Sequence, residues 1–246
     1  MKGRIGAAIF AHTLAMVLSK KFLIAALGGL LLVAAGACDD ARPVVTTARP
    51  AHVPASALVP AQKAVNRNWK NPALPFGLRL SAAAEERARH GVVYDGAYVR
   101  IAYPNGDVPA DRGVCSDEVI RAYRLLGVDL QRLVHEDMAR AFGVYPKRWG
   151  LPGPDSNIDH RRVPNLAAFF SRAGARLSVS TAGRDYKPGD VVAFVVAGNL
   201  PHIGIVTERW SSDGQRPLIM HNIGRGPQIE DVLFTLTITG HYRYGG

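Results

Sequence analysis

Residues 111–120 read Asp-Arg-Gly-Val-Cys-Ser-Asp-Glu-Val-Ile, and they decide how the rest of the chain is interpreted. The glycine shortly before the cysteine is typical of a tight loop. After it, Cys115, Val119 and Ala122 recur at the spacing of one helix face. The stretch therefore predicts a loop followed by a helix that begins at Cys115, packs its apolar face on a core and ends at Gly127.

Cys115 lies where a thiol can act as a nucleophile. The N-terminus of a helix carries partial positive charge and free N–H groups, which lower the pKa of a thiol. The same N–H groups can bind an oxyanion. We therefore predict that Cys115 is a catalytic nucleophile. The alternative is a small buried residue on an apolar helix face, the usual place of a free cysteine.

The first 37 residues predict an export signal. They contain four basic residues, no acidic residue and an apolar run from Phe22 to Ala35. This run is shorter than the about 20 apolar residues of a comfortable transmembrane helix. A start at Met16 instead of Met1 would give a more compact signal, and both starts stay open.

Two kinds of processing fit the end of this leader. The small residues 35–37 suit ordinary signal peptidase, which would leave a periplasmic or secreted protein. Followed by Cys38, they also resemble a lipoprotein box, although Ala35 replaces the usual Leu or Val. A lipid on Cys38 would hold the protein at a membrane surface without spanning it. Cys115 would then be the single free thiol of an exported protein.

Composition separates a linker from a folded domain. Four prolines between residues 43 and 60 interrupt a run of Ala, Val, Thr and Ser, which predicts an extended linker over 38–72. The domain is predicted over 73–246. Its Lys and Arg residues exceed its Asp and Glu residues, because the chain has 30 against 20 and only four of the cations lie in the leader. The arginines are scattered rather than clustered with aromatics, so we expect no nucleic-acid partner.

The domain is predicted to place helices before strands. The expected helices begin after the cap Ser81, at Cys115, after the cap Asp129 and at Asn165. The expected strands are 98–103, 191–196, 202–206, 217–221 and 234–238. This order predicts an α+β fold with N-terminal helices packed on an antiparallel sheet.

Two histidines are predicted to lie at strand ends. His202 opens one strand, and His221 ends the next and is followed by Asn222. An antiparallel pair would bring the two imidazoles together. Cys115 would then have His202 as its base and His221 as the orienting residue, with Asn222 as an alternative orienting residue. The competing interpretation of each histidine is a satisfied, half-buried polar residue.

A long polar loop over 145–164 is predicted to determine specificity, because long loops inside compact domains are usually functional or disordered. Its charged and aromatic residues could bind a charged peptide or carboxylate. The alternative is an internal brace held by salt bridges. The candidates for substrate binding are Trp149, Asp159, His160, Arg161 and Arg162.

A cysteine at a helix start is followed by Pro-Gly-Asp before a strand, by His-Ile-Gly-Ile-Val at 202–206 and by a hairpin to a strand ending in His. This order of motifs resembles that of the NlpC/P60 cysteine peptidase superfamily. That resemblance implies a papain-like core and cleavage of amide bonds in cell-wall peptides. It assigns Cys115 as nucleophile, His202 as base and His221 as orienting residue, and it assigns the oxyanion role to Tyr103, twelve residues before the cysteine. The sequence departs from the usual Asp-Cys-Ser-Gly, having Val-Cys-Ser-Asp.

A more specific resemblance covers roughly residues 80–244. The segments that carry it are Tyr-Pro-Asn-Gly-Asp-Val-Pro, Gly-Val-Cys-Ser-Asp, Tyr-Pro-Lys-Arg-Trp-Gly-Leu and Gly-His-Tyr-Arg-Tyr. They are similar to a bacterial secreted family known as domain of unknown function 1287. This resemblance implies no activity.

The sequence supports three hypotheses of function. The first is an envelope cysteine hydrolase, an amidase or peptidase that needs no cofactor and acts on a cell-wall peptide or a similar amide. The second is a non-catalytic envelope-binding module on the same fold. The third is a metal-dependent hydrolase using His160, His202, His221 and a carboxylate, although the His-Glu-x-x-His motif is lacking. Whether water or an amine is the acceptor stays open.

Overall fold

The computed structural model describes residues 66–245, which form four helices and eight strands. The helices are α1 (Phe76–Arg87), α2 (Cys115–Leu125), α3 (Leu130–Ala141) and α4 (Val163–Arg172). The strands are β1 (Val93–Tyr94), β2 (Arg112–Gly113), β3 (Arg176–Leu177), β4 (Val191–Val196), β5 (Leu200–Trp210), β6 (Pro217–Asn222), β7 (Pro227–Glu230) and β8 (Thr237–Tyr242).

The main sheet has six strands in the order β3-β8-β4-β5-β6-β7, and every neighbouring pair is antiparallel. The prediction of mixed helices and an antiparallel sheet is therefore confirmed. A separate parallel pair joins β1 to β2 and places Tyr94 opposite Gly113, just before α2.

The central helix α2 forms as its sequence predicts. It begins at Cys115, and the Asp117 carboxylate accepts a hydrogen bond from the backbone N–H of Val114 at 2.7 Å. This contact satisfies a donor that would otherwise be free at the helix start. The helix ends before Gly127, whose φ of 82° suits a residue without a Cβ. α3 is likewise capped by the Asp129 side chain, as predicted.

Two apolar clusters cover the two faces of the sheet. Val191 and Ala193 of β4 face the helices, together with Ile203 and Ile205 of β5. The alternate residues of β4, Val192 and Phe194, join a second cluster with Tyr186, Val206, Ile219 and Leu233. Both faces of β4 are buried, which explains why this strand is an unbroken apolar run instead of an alternating one.

The start of α1 differs from the prediction. The helix begins at Phe76, so Ser81 lies inside it rather than at its cap. Ser81 is fully buried, and its hydroxyl accepts a hydrogen bond from the backbone N–H of Glu208 at 2.9 Å. A serine that would suit a cap is therefore used to join α1 to β5. Glu85 strengthens the same contact through an ion pair with Arg209 at 3.0 Å.

Some predicted strands are also corrected. Residues 98–103 form no strand. The backbone N–H of Ile101 donates to the side-chain oxygen of Asn157 at 3.0 Å instead of to a neighbouring strand. The last strand is β8, several residues later than the predicted 234–238. β5 begins at Leu200 and not at His202, and α4 begins at Val163 and not at Asn165. The short strands β1, β2, β3 and β7 were not predicted.

The predictions for the leader 1–37, for lipidation of Cys38 and for most of the linker 38–72 lie outside the described residues. Within residues 66–245, every helix is too short or too polar to cross a membrane.

Candidate active site

Cys115 is buried at the first residue of α2, where its side chain is 3% exposed. The pairing of β5 with β6 runs from Ile205 opposite Met220 towards Trp210, so Ile203 lies beyond the paired residues. The backbone N–H groups of Ile203 and Ser116 lie near the Cys115 sulfur and act on its pKa. The thiol therefore lies near the residue that follows His202 in β5.

The protonation of Cys115 differs from the sequence prediction. Burial raises its pKa to about 11, although the N–H groups of Ile203 and Ser116 act in the opposite direction. The desolvation of the charged form thus outweighs the helix terminus. The prediction of a lowered pKa is wrong because it took account of the helix but not of the residues packed around it. The resting thiol is neutral.

The rings of His202 and His221 are in contact. The distance from His202 Nε2 to His221 Nδ1 is 2.9 Å, and the two rings meet edge to face. Both side chains are buried, at 2% and 1% exposure. Burial, and to a smaller extent the neighbouring His221, lower the pKa of His202 to about 4. The antiparallel strands β5 and β6 bring the pair together.

Glu230 of β7 extends this pair. Its Oε2 lies 3.0 Å from Nε2 of His221, which is ion-pair distance, although the ring N–H is not aligned for a good hydrogen bond. Burial lowers the pKa of His221, whereas the Glu230 carboxylate raises it. Arg225 contacts the other carboxylate oxygen at 2.9 Å.

The sequence analysis missed Glu230 because the strand that carries it was not predicted. In β7 the register places Gln228 opposite His221, and Glu230 follows two residues later on the same face. The alternation Gln-Ile-Glu after a glycine-rich turn was the available signal.

The carboxylate fixes the direction of the hydrogen bonds. A carboxylate accepts but does not donate, so the tautomer of His221 that suits Glu230 carries its proton on Nε2 and accepts at Nδ1. Nε2 of His202 must then donate to His221, which leaves the Nδ1 lone pair of His202 free to act as a base.

The tyrosine beside the thiol is Tyr94 and not Tyr103. The pKa of Tyr94 is raised to about 12 by burial and then by the neighbouring Cys115 side chain. Tyr103 is 43% exposed and packs edge to face against His135 of α3. The parallel pairing of Tyr94 with Gly113 causes this difference, because it brings a residue distant in sequence next to the start of α2.

Asn222 does not take the orienting position at His202. Its side-chain oxygen accepts a hydrogen bond from the backbone N–H of Gly224 at 3.1 Å and so stabilises the turn after β6. The ring nitrogen that contacts His202 comes from His221.

The loop residues 159–161 are buried and contact the protein itself. Arg161 forms two hydrogen bonds with Asp117, at 2.8 and 3.0 Å, and another with the carbonyl of Ala97. Asp159 pairs with Arg162 at 2.9 Å. His160 is 3% exposed, and burial lowers its pKa to about 4. For these residues the structure favours the alternative interpretation, an internal brace.

Trp149 and Arg162 remain nearer the surface. The guanidinium of Arg162 lies 4.0 Å from the centre of the Trp149 ring, in a cation–π contact. Both stay candidates for substrate contact. Between residues 66 and 245, no group of three or more His, Cys, Asp or Glu side chains is arranged to hold a metal ion, so His160, His202 and His221 do not form a metal centre there.

The structure defines an α+β protein with an antiparallel sheet, in which a cysteine is buried at a helix start and two buried histidines of neighbouring strands are in contact. The chain belongs to the family described as Domain of unknown function (DUF1287), which matches residues 81–244. It is 50% identical over 188 residues to the "Uncharacterized protein YijF" of Escherichia coli strain K12, which covers 73% of this chain and 91% of that protein.

Among solved structures, a crystal structure of an N-acetylmuramoyl-L-alanine amidase from Bacteroides uniformis aligns with 68% of this chain and 98% of its own, at 12% identity and a TM-score of 0.43. A likeness at this level establishes neither a shared fold nor a shared activity.

Proposed function

We propose that this protein is a cysteine-dependent amide hydrolase with a papain-like core of the NlpC/P60 type. The observation that carries the proposal is the position of Cys115. Its sulfur lies near the backbone N–H of Ile203, and the adjacent residue His202 contacts His221 at 2.9 Å. All three side chains are buried, and a nucleophile, a base and an orienting residue are the groups that this chemistry needs, which supports the proposal.

The proposed reaction starts from a neutral thiol and a neutral imidazole. As the Cys115 sulfur attacks the carbonyl carbon of an amide, His202 takes the thiol proton. The C–S bond forms, and the negative charge moves to the carbonyl oxygen. The backbone N–H groups at the start of α2 and the Tyr94 hydroxyl are the donors available to stabilise that charge.

Collapse of this intermediate breaks the C–N bond, and His202 returns the proton to the leaving amine. A water molecule then hydrolyses the thioester with His202 again as the base. In this proposal, His221 accepts a hydrogen bond from Nε2 of His202 and so holds its tautomer, and Glu230 contacts the far side of His221. None of these steps requires a cofactor.

The substrate class follows from the predicted destination of the chain. An exported protein, periplasmic or anchored through Cys38, meets peptides of the cell wall, and these contain the amide bonds that such a site would cleave. The proposal is therefore an amidase or peptidase acting on peptidoglycan peptides or similar amides.

The test is digestion of purified peptidoglycan, with soluble fragments identified by mass spectrometry. The wild type is compared with Cys115→Ala and His202→Ala. The matched control is His90→Ala, since His90 is about half exposed and lies three residues after the end of α1. We expect both site variants to lose about 100-fold or more of the activity and the control to keep it. Equal digestion by wild type and Cys115→Ala would refute the proposal.

A second candidate is a non-catalytic envelope-binding module. It is favoured by one observation, the neutral buried thiol with a pKa of about 11. On this hypothesis the wild type binds cell-wall fragments, releases no product from them, and binds equally well after Cys115→Ala.

A further inference from the structure

A groove of about 440 Å³ opens beside the candidate active site, between the start of α4 and the β4–β5 end of the sheet. Its residues come from α4, from the sheet and from the loop before α4.

The groove is lined by residues that are neighbours of the candidate site along the chain. Pro201 immediately precedes His202, and Phe194 lies opposite His202 in the β4–β5 pair. Val163 follows shortly after Arg161, whose carbonyl accepts a hydrogen bond from the hydroxyl of Ser116, next to Cys115. Two separate segments thus connect the lining of the groove to the candidate site.

The charge of the groove is positive and is not balanced within the domain. Its lining contains two arginines, Arg148 and Arg176, and no carboxylate. Both arginines are exposed, and in the part of the chain that the structure describes neither forms an ion pair. Other arginines of the same domain do form such pairs, among them Arg121, Arg161 and Arg216 with nearby aspartates.

The remaining lining suits an extended peptide. Val163, Pro164 and Ala167 supply an apolar wall from α4, and Asn199 and Thr239 can hydrogen-bond a peptide backbone. Guanidinium groups bind carboxylates in a planar, two-point geometry that a lysine does not reproduce. The groove thus combines a surface for a short peptide with two unpaired partners for its carboxylates.

We propose that this groove binds the acidic part of the substrate, a peptide segment that carries carboxylates next to the bond that is cleaved, through Arg148 and Arg176. The proposal rests on the proposed hydrolase function, because it assigns the groove to the substrate of Cys115. It adds two specificity-determining residues and the chemical class of ligand that they recognise.

The test measures binding and therefore needs no turnover. Full-length Cys115→Ala protein is titrated by calorimetry with acetyl-Ala-Glu-Ala, which has two carboxylates, and with the neutral acetyl-Ala-Gln-Ala-amide. The acidic peptide should bind more tightly, and the difference should shrink as salt is raised. Adding Arg148→Ala or Arg176→Ala should each weaken its binding about 5- to 10-fold, since a partly exposed charge pair contributes modestly.

The matched control is Arg184→Ala, which removes another exposed arginine that lines a different groove. It should leave both affinities unchanged, and melting curves of all variants check that they are folded. Equal binding of the two peptides, no binding of either, or unchanged binding after both groove substitutions would refute the proposal. Selective binding by a protein that digests no peptidoglycan would instead leave the groove in place and refute the hydrolase.

Discussion

Replacement of Arg161 by leucine should destabilise the whole site region. Arg161 joins three segments: its guanidinium bonds Asp117 in α2 at 2.8 and 3.0 Å and the carbonyl of Ala97 at 2.9 Å, and its own carbonyl accepts from Ser116. The Arg161 and Asp117 side chains are each only 2% exposed. Leucine would leave the buried Asp117 carboxylate without its cation.

The size of the effect follows from that burial. Removal of one partner of a buried ion pair costs about 3–5 kcal/mol, since the remaining charge is desolvated and unpaired. Arg161→Lys keeps the charge but loses the two-point geometry, so it should cost less, on the order of 1–2 kcal/mol. The double variant Asp117→Asn with Arg161→Leu removes both charges and should cost less than the sum of the single changes.

Urea unfolding followed by circular dichroism measures these free energies. The coupling from the four proteins of the cycle should be on the order of 2 kcal/mol or more. A loss below about 1 kcal/mol for Arg161→Leu would show that the ion pair does not hold the start of α2 in place, in contrast with the values typical of buried pairs.

Three further predictions concern the site and its titration. Glu230→Gln removes the charge that raises the pKa of His221, so kcat should fall about 10-fold or more while the unfolding free energy changes little; an unchanged kcat would exclude a role for Glu230. Burial holds the pKa of His160 and of His202 at about 4, below the 6.5 of an exposed histidine, so the folded state binds fewer protons between these values. The free energy of unfolding present above pH 6.5 should therefore fall as pH falls towards 4, by up to roughly 3 kcal/mol for each histidine. In urea titrations, His160→Gln should lower the number of protons taken up on unfolding in this pH range by about one. Burial raises the pKa of Cys115 to about 11. In the Cys38→Ala protein at pH 7, iodoacetamide should therefore alkylate Cys115 at least about 10-fold more slowly in the folded state than in urea. Equal rates would contradict a buried neutral thiol.

Elements with local signals were predictable from the amino-acid sequence alone. Helical spacing and a terminating glycine predicted α2, an aspartate cap predicted α3, and an apolar run predicted β4. The contact between His202 and His221 was also predictable, because two strands joined by a short turn pair with their neighbours in sequence.

The residues around the thiol and its protonation state depend on contacts between distant parts of the chain, which local patterns do not reveal. Tyr94 lies near Cys115 because two short strands pair. Glu230 contacts His221 from a strand with a weak sequence signal. Arg161 forms a buried ion pair with Asp117 and is therefore not available to a substrate. The same holds for the pKa of Cys115, which a helix terminus was expected to lower and burial raises. Spacing and capping act between residues close in sequence, whereas desolvation depends on groups that distant parts of the chain bring together.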